Sequence, residues 1–189
     1  MIFPLFRRNR QPDTISSLYG MIVAQARSPV FYREYGVPDT IGGRFDLLLL
    51  HLSLVVERLM RKQDGNAFGQ ALFDRFCTDM DDNLREMGIG DLAVPKHMKR
   101  VGEAFYGRSQ AYQAALAERG DRALVEALIR NVYGGVAPDP AAPARLAAYI
   151  RRVAQALDRH EPADLLAGRI VLPDPRVVPA ELEAAAARD

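Results

Sequence analysis

The chain has 189 residues, of which 49% are hydrophobic and 26% charged, and its formal net charge is +1. That length supports one domain with its own core, and a near-neutral sum gives no electrostatic basis for specific nucleic-acid binding. The single cysteine, Cys77, excludes an internal disulfide framework and a cysteine zinc site, and it fits a reducing cytoplasm.

Residues 1–12 read as an apolar and basic arm. Phe3 and Phe6 stand beside Arg7 and Arg8, a mixture that suits contact with an anionic membrane surface. The competing reading is a terminus that frays or docks on its own core. The apolar run is too short and its arginines too late for a secretory signal. Asp13, Thr14 or Ser16 then starts a helix to about Arg27, with Ile15, Leu18, Tyr19, Ile22, Val23 and Ala26 inward. Pro29 opens a short second helix that Gly36 ends.

The most apolar stretch follows Pro38. Asp39 or Thr40 caps a helix over residues 40–62, and Gly42 and Gly43 let another backbone approach its first turn. Phe45, Leu48, Leu49, Leu52, Val55, Val56, Leu59 and Met60 form one apolar face, and Leu47, Leu50 and Leu54 a second, so this helix is expected to be sandwiched. Asp46, His51, Ser53 and Glu57 interrupt it too often for a membrane span. Arg44, His51 and Arg58 recur every seven residues and share a ridge. That ridge is either a solvated edge or a cationic edge facing a partner.

A turn at Asp64-Gly65-Asn66 leads to a helix ending near Met87, apolar on one face and acidic on the other. Residues 64–91 carry seven acids against two arginines, whereas residues 92–108 carry four bases against Glu103. The charge is neutral in sum but segregated. After a connector at residues 88–91, Pro95 enters a helix whose first turns hold Lys96, Lys99 and Arg100, with a break expected near Gly107. Asp121 is expected to cap the next helix, and Leu146, Tyr149, Ile150, Val153 and Leu157 give another amphipathic one. Ile170 to Leu172 is expected to lie extended over the body, with a short helix over 181–187. The expected fold is all-α: a single-domain irregular bundle of six to eight helices around a buried central helix, with an extended Pro-rich C-terminal segment. Its divisions are the arm (1–12), a helical domain (13–160) and a tail (161–189).

Several segments, in order and spacing, carry a family resemblance. They are Leu18-Tyr19 with Ile22 to Arg27, Phe31-Tyr32, Val37-Pro38-Asp39-Thr40 with Gly43-Arg44-Phe45-Asp46, and Leu50-His51; then Gly90 to Lys96, Met98-Lys99, and Ala104-Phe105-Tyr106-Gly107-Arg108. Over roughly residues 15–135 the chain resembles the ubiquinol–cytochrome c chaperone family, bacterial relatives of the mitochondrial protein that assists cytochrome b assembly. The resemblance implies a non-catalytic assembly chaperone without a cofactor, whose client is newly made cytochrome b at the inner face of the membrane. It also implies the ribosome or a small protein as partners, without identifying residues for them.

The candidate partner surface joins Gly43, Arg44, Phe45, Asp46, His51 and Arg58 to Lys96, Lys99, Phe105, Tyr106 and Arg108, because aromatic and arginine anchors dominate interfaces. Two other classes compete. One is a helical haem-binding protein or enzyme with a hidden site, for which His51 is the natural ligand. The other is a membrane-peripheral scaffold without a cytochrome client. No paired metal-ligand histidines, nucleotide loop or Ser–His–Asp context is visible.

Overall fold

The computed structural model describes residues 11–61, 65–137 and 139–177. Eight helices occur among them: α1 (Gln11–Ala26), α2 (Val30–Arg33), α3 (Ile41–Met60), α4 (Asn66–Glu86), α5 (Val94–Ala117), α6 (Arg122–Asn131), α7 (Ala142–Arg159) and α8 (Pro162–Leu166). No strand occurs among the described residues, so the bundle is all-α as the hydrophobic spacing required.

The centre is α3. Its two apolar stripes are buried because α1, α4, α5 and α7 surround it, except at the ends of the first, where Phe45 is half-buried and Met60, expected on that face, is 43% exposed beside the last turn. Thr40 caps it, its Oγ1 accepting the Gly43 N–H at 3.1 Å. Gly43 is there for contact. A Cβ at this position would overlap the Pro38 carbonyl oxygen and lie 3.1 Å from its carbon. Gly42 has no such neighbour. Its Cβ would meet only Thr40 Oγ1, at 3.8 Å, so the expected close approach belongs to one glycine of the pair.

Around α3 the other helices bury the faces their spacing assigns. Phe68, Leu72 and Phe76 of α4 are buried, as are Leu124 and Leu128 of α6 and Leu146, Tyr149, Ile150 and Val153 of α7. Three local expectations need correction. First, α1 already includes Gln11, ahead of the proposed caps. Second, α5 runs unbroken through Gly107, since its neighbouring turns carry enough packing to hold one glycine in a helix. Third, Asp121 makes no cap hydrogen bond to α6; its carboxylate is taken by Arg151 of α7.

A short helix, α8, precedes the expected extended segment. Leu165 and Ile170 are buried. The following strap is pinned through its backbone: Gln25 Nε2 donates to Pro173 O at 2.8 Å and Tyr35 Oη to Pro175 O at 2.6 Å. Val171 N–H donates to His160 Nε2 at 3.1 Å. Phe3, Phe6, Arg7 and Arg8, and the short helix expected over 181–187, lie outside the described residues.

Candidate partner-binding site

The start of α3 is joined to the middle of α5 by one ion pair. Asp46 meets Arg108 Nη2 at 2.8 Å, and the Arg108 guanidinium lies over the Phe45 ring at 5.9 Å. Neither partner of the pair is well solvated, and Arg108 Nη1 is buried without a hydrogen-bond partner among the described residues. Burial raises the Asp46 carboxyl to about 6; Arg108 pulls it down, and burial outweighs it. This joint brings Phe45, Asp46 and Arg108 of the expected surface together.

Arg44 stands outside the joint. Its Nε donates to Asp39 at 2.7 Å and its guanidinium lies over Tyr32 at 5.8 Å, with both charged groups more than half exposed. On α5, Phe105 and Tyr106 separate. Phe105 is buried against Phe73 and Phe76, with ring centroids at 4.6 and 6.4 Å. Tyr106 lies tilted against Phe73, with ring centroids at 5.6 Å, and remains 57% exposed. Of this pair only Tyr106 offers a surface. Lys96 and Lys99 are exposed two to three turns earlier, and Lys99 reaches Glu103 of its own helix at 3.7 Å.

The seven-residue ridge does not form a continuous edge. His51 is completely buried and Arg58 nearly so, because α7 covers the ridge beyond Arg44. Arg58 closes the end of α7: its Nε donates to Leu157 O at 3.0 Å and its Nη2 to His160 O at 3.2 Å. Leu157 O also accepts the His160 N–H at 3.3 Å, so the guanidinium adds a second donor there and supplies one to His160 O just past the helix end. His51 Nδ1 lies 2.8 Å from Leu47 O and its Nε2 3.0 Å from Tyr149 Oη. A carbonyl only accepts, so Nδ1 carries the proton and Nε2 accepts from the tyrosine. Both ring nitrogens are thus committed, which leaves no lone pair for a haem iron. Burial lowers the imidazole to about 4, against a smaller opposing effect of the Leu47 carbonyl. Gly43 likewise belongs to the frame that holds the entrance rather than to its surface.

Sequence spacing missed the group gathered around His51. Tyr149 Oη also accepts from Gln25 Nε2 at 2.8 Å, and Tyr133 Oη donates to Tyr35 O at 2.7 Å. Phe31 packs edge-on against His51 and Tyr149 at 5.3 and 5.2 Å. Four elements distant in sequence meet here; the only sequence signal was that Gln25, Phe31 and His51 lie in the resembling segments. Cys77 is half-buried and burial pushes its thiol up, away from the reactive thiolate. Among the described residues no three His, Cys, Asp or Glu side chains gather in a way that could hold a metal ion, and no helix is long and apolar enough to cross a membrane.

Comparison with known proteins bears on this geometry. The family model described as ubiquinol-cytochrome C chaperone matches residues 33–172. The match begins later than the resembling segments and extends through α7 and α8, where the sequence resemblance fades. The ubiquinol-cytochrome-c reductase complex assembly factor 1 of Xenopus laevis is 27% identical over 152 residues, covering 79% of this chain and 74% of that protein. The Homo sapiens protein of the same name is 25% identical over 150 residues, and the matched region spans 50% of its length. The crystal structure of the Cbp3 homolog from Brucella abortus superposes with a TM-score of 0.84 at 39% identity, covering 95% of this chain and all of that one.

Proposed function

Because the chain belongs to the ubiquinol–cytochrome c chaperone family, we propose that it binds newly made cytochrome b and holds it for assembly of the ubiquinol–cytochrome c reductase complex. The family is one of assembly chaperones for that complex, and its named relatives are assembly factors rather than catalysts. The observation that carries the reading is the family-model match over residues 33–172, supported by the likeness across 95% of the chain to the solved Cbp3 homolog. The client, the surface that meets it and the place of action, at the inner face of the membrane, belong to the proposal.

The surface offered to the client is the outer side of the α3–α5 joint: Arg44 and Tyr106, backed by Phe45, Asp46 and Arg108. Tyr106 gives a large rigid apolar anchor with a polar tip, and Arg44 a cation that fixes orientation. Asp46 and Arg108 lock the two helices behind them. His51, Arg58, Phe105 and Gly43 act by holding this frame.

A pull-down of the tagged full chain from its own solubilised membranes, read by mass spectrometry and visible absorption, tests the proposal. Cytochrome b with little or no haem in the eluate is the expected result. Arg44→Glu and Tyr106→Ala should each reduce cytochrome b recovery several-fold while leaving the helical fold intact by circular dichroism. Recovery of neither cytochrome b nor any other subunit of the complex would sink the proposal.

A further inference from the structure

The connector between α4 and α5, residues 87–93, is built rather than loose. Gly88, at φ +81°, ends α4 in the left-handed region. The Gly88 N–H donates to Arg85 O at 2.9 Å and the Ile89 N–H to Leu84 O at 3.0 Å, a paired closure of the helix end. The Ala93 N–H donates to Gly90 O at 2.8 Å and starts the turn into α5. On this fixed frame Leu92 is 100% exposed and Met87 65% exposed. Single exposed apolar residues need no explanation; two held outward on one short, hydrogen-bonded tip do.

The tip is flanked by opposite charges. Asp82 and Glu86 are exposed on α4, and Lys96, Lys99 and Arg100 on α5. Asp81 and Asp91 are already held by Arg85. Among the described residues Asp82, Glu86, Lys96 and Arg100 have no ion pair, and no ion pair links α4 to α5. The two helices pack through Phe73, Phe76 and Phe105, so neighbouring arms of opposite sign leave each other's charges unused.

We infer that this tip is a self-association surface, on which two copies of the chain pair across a two-fold axis. Met87 and Leu92 meet at the centre, and the acidic end of α4 in one copy faces the basic start of α5 in the other. A two-fold contact requires a patch complementary to itself. An apolar centre between an acidic and a basic flank meets that requirement. An anionic lipid surface would meet Asp82, Glu86 and Asp91 as well as the cations, and a partner of one sign would face like charge on one flank. The inference does not depend on the identity of the client.

Sedimentation of the full chain from ~10 to ~200 µM, at about 50 mM and about 500 mM salt, gives the reading, because screened charges lose their reach at the higher ionic strength. The expected result is a monomer–dimer equilibrium that weakens with salt and disappears in Leu92→Asp. Lys96→Glu with Lys99→Glu should weaken it at least tenfold, and Asp82→Lys with Glu86→Lys should do the same. Mixing those two double variants should restore dimers, since each acidic flank then faces a basic one in both halves of the contact. All these positions are exposed, so unchanged melting curves verify the fold. A monomer at every concentration overturns the inference, as does a dimer indifferent to Leu92→Asp or a mixture that stays monomeric. A monomer that binds phosphatidylglycerol vesicles through Leu92 would assign the tip to lipid instead.

Discussion

Tyr149→Phe removes one oxygen from the buried centre and nothing else. The ring keeps its contacts with Phe31 and Tyr35, at centroid distances of 5.2 and 6.1 Å, so no cavity of consequence opens. Two hydrogen bonds go: the one Tyr149 Oη donates to His51 Nε2 at 3.0 Å and the one it accepts from Gln25 Nε2 at 2.8 Å. Gln25 retains Pro173 O, so its loss is that of one ordinary bond, about 0.5–1.5 kcal/mol. His51 has no exposure and no second donor, and an acceptor stranded in that way costs about 1–3 kcal/mol. The total is roughly 2–4 kcal/mol. With a urea m value of about 2–3 kcal/mol/M for a chain of this size, the unfolding midpoint should fall by about 1 M. Equilibrium urea unfolding followed by far-UV circular dichroism, with Gln25→Ala and the double variant completing a cycle, separates the two bonds. A change in Tyr149→Phe below about 0.5 kcal/mol would refute the argument, because it would mean that His51 finds another donor or is not sealed from water.

The pH dependence follows from two buried groups of opposite sense. His51 is lowered from 6.5 to about 4, so between those values the unfolded chain binds a proton that the folded chain does not, and stability falls as pH falls. Asp46 is raised from 3.8 to about 6, so there the folded chain binds the extra proton, and stability rises as pH falls. The two nearly cancel, and Asp46→Asn should uncover the histidine: relative to the unmodified chain it loses about 1.4 kcal/mol per pH unit from pH 6 toward 4, read from urea midpoints. Gly43→Ala should destabilise by roughly 2–4 kcal/mol because its Cβ meets fixed backbone, whereas Gly42→Ala should be neutral or stabilise by up to about 1 kcal/mol; equal effects in thermal unfolding would contradict the packing at Pro38. Arg58→Ala uncovers the carbonyls at the end of α7 and should cost about 2–4 kcal/mol, with a loss below about 0.5 kcal/mol showing that water replaces the guanidinium.

Hydrophobic spacing made the helices legible, and the double stripe on α3 made its central place legible, because burial follows from which faces are apolar. The same spacing misplaced the cationic ridge. A seven-residue repeat puts Arg44, His51 and Arg58 on one side of a helix, yet it carries no information on which neighbour covers that side. Here α7 lies over the ridge beyond Arg44, with Tyr149 from ninety-eight residues away bonded to His51. Phe105 and Tyr106, adjacent in sequence, could not be sorted into core and surface without knowing where Phe73 stands. The Asp46–Arg108 joint was legible only as two members of one candidate set, since nothing in either segment states that they touch.

The strap also determines when the domain can be completed. Gln25 and Tyr35 find their carbonyl acceptors at Pro173 and Pro175, across separations of 148 and 140 residues. During vectorial synthesis α1 and α2 emerge early, yet these two donors have no strap to bond until nearly all of the described chain has been made. Bonds that close so large a loop form late, after the entropy of bringing its ends together has been met. A nascent chain halted before Pro173 therefore carries the helices of the bundle without the clasp that joins its beginning to its end.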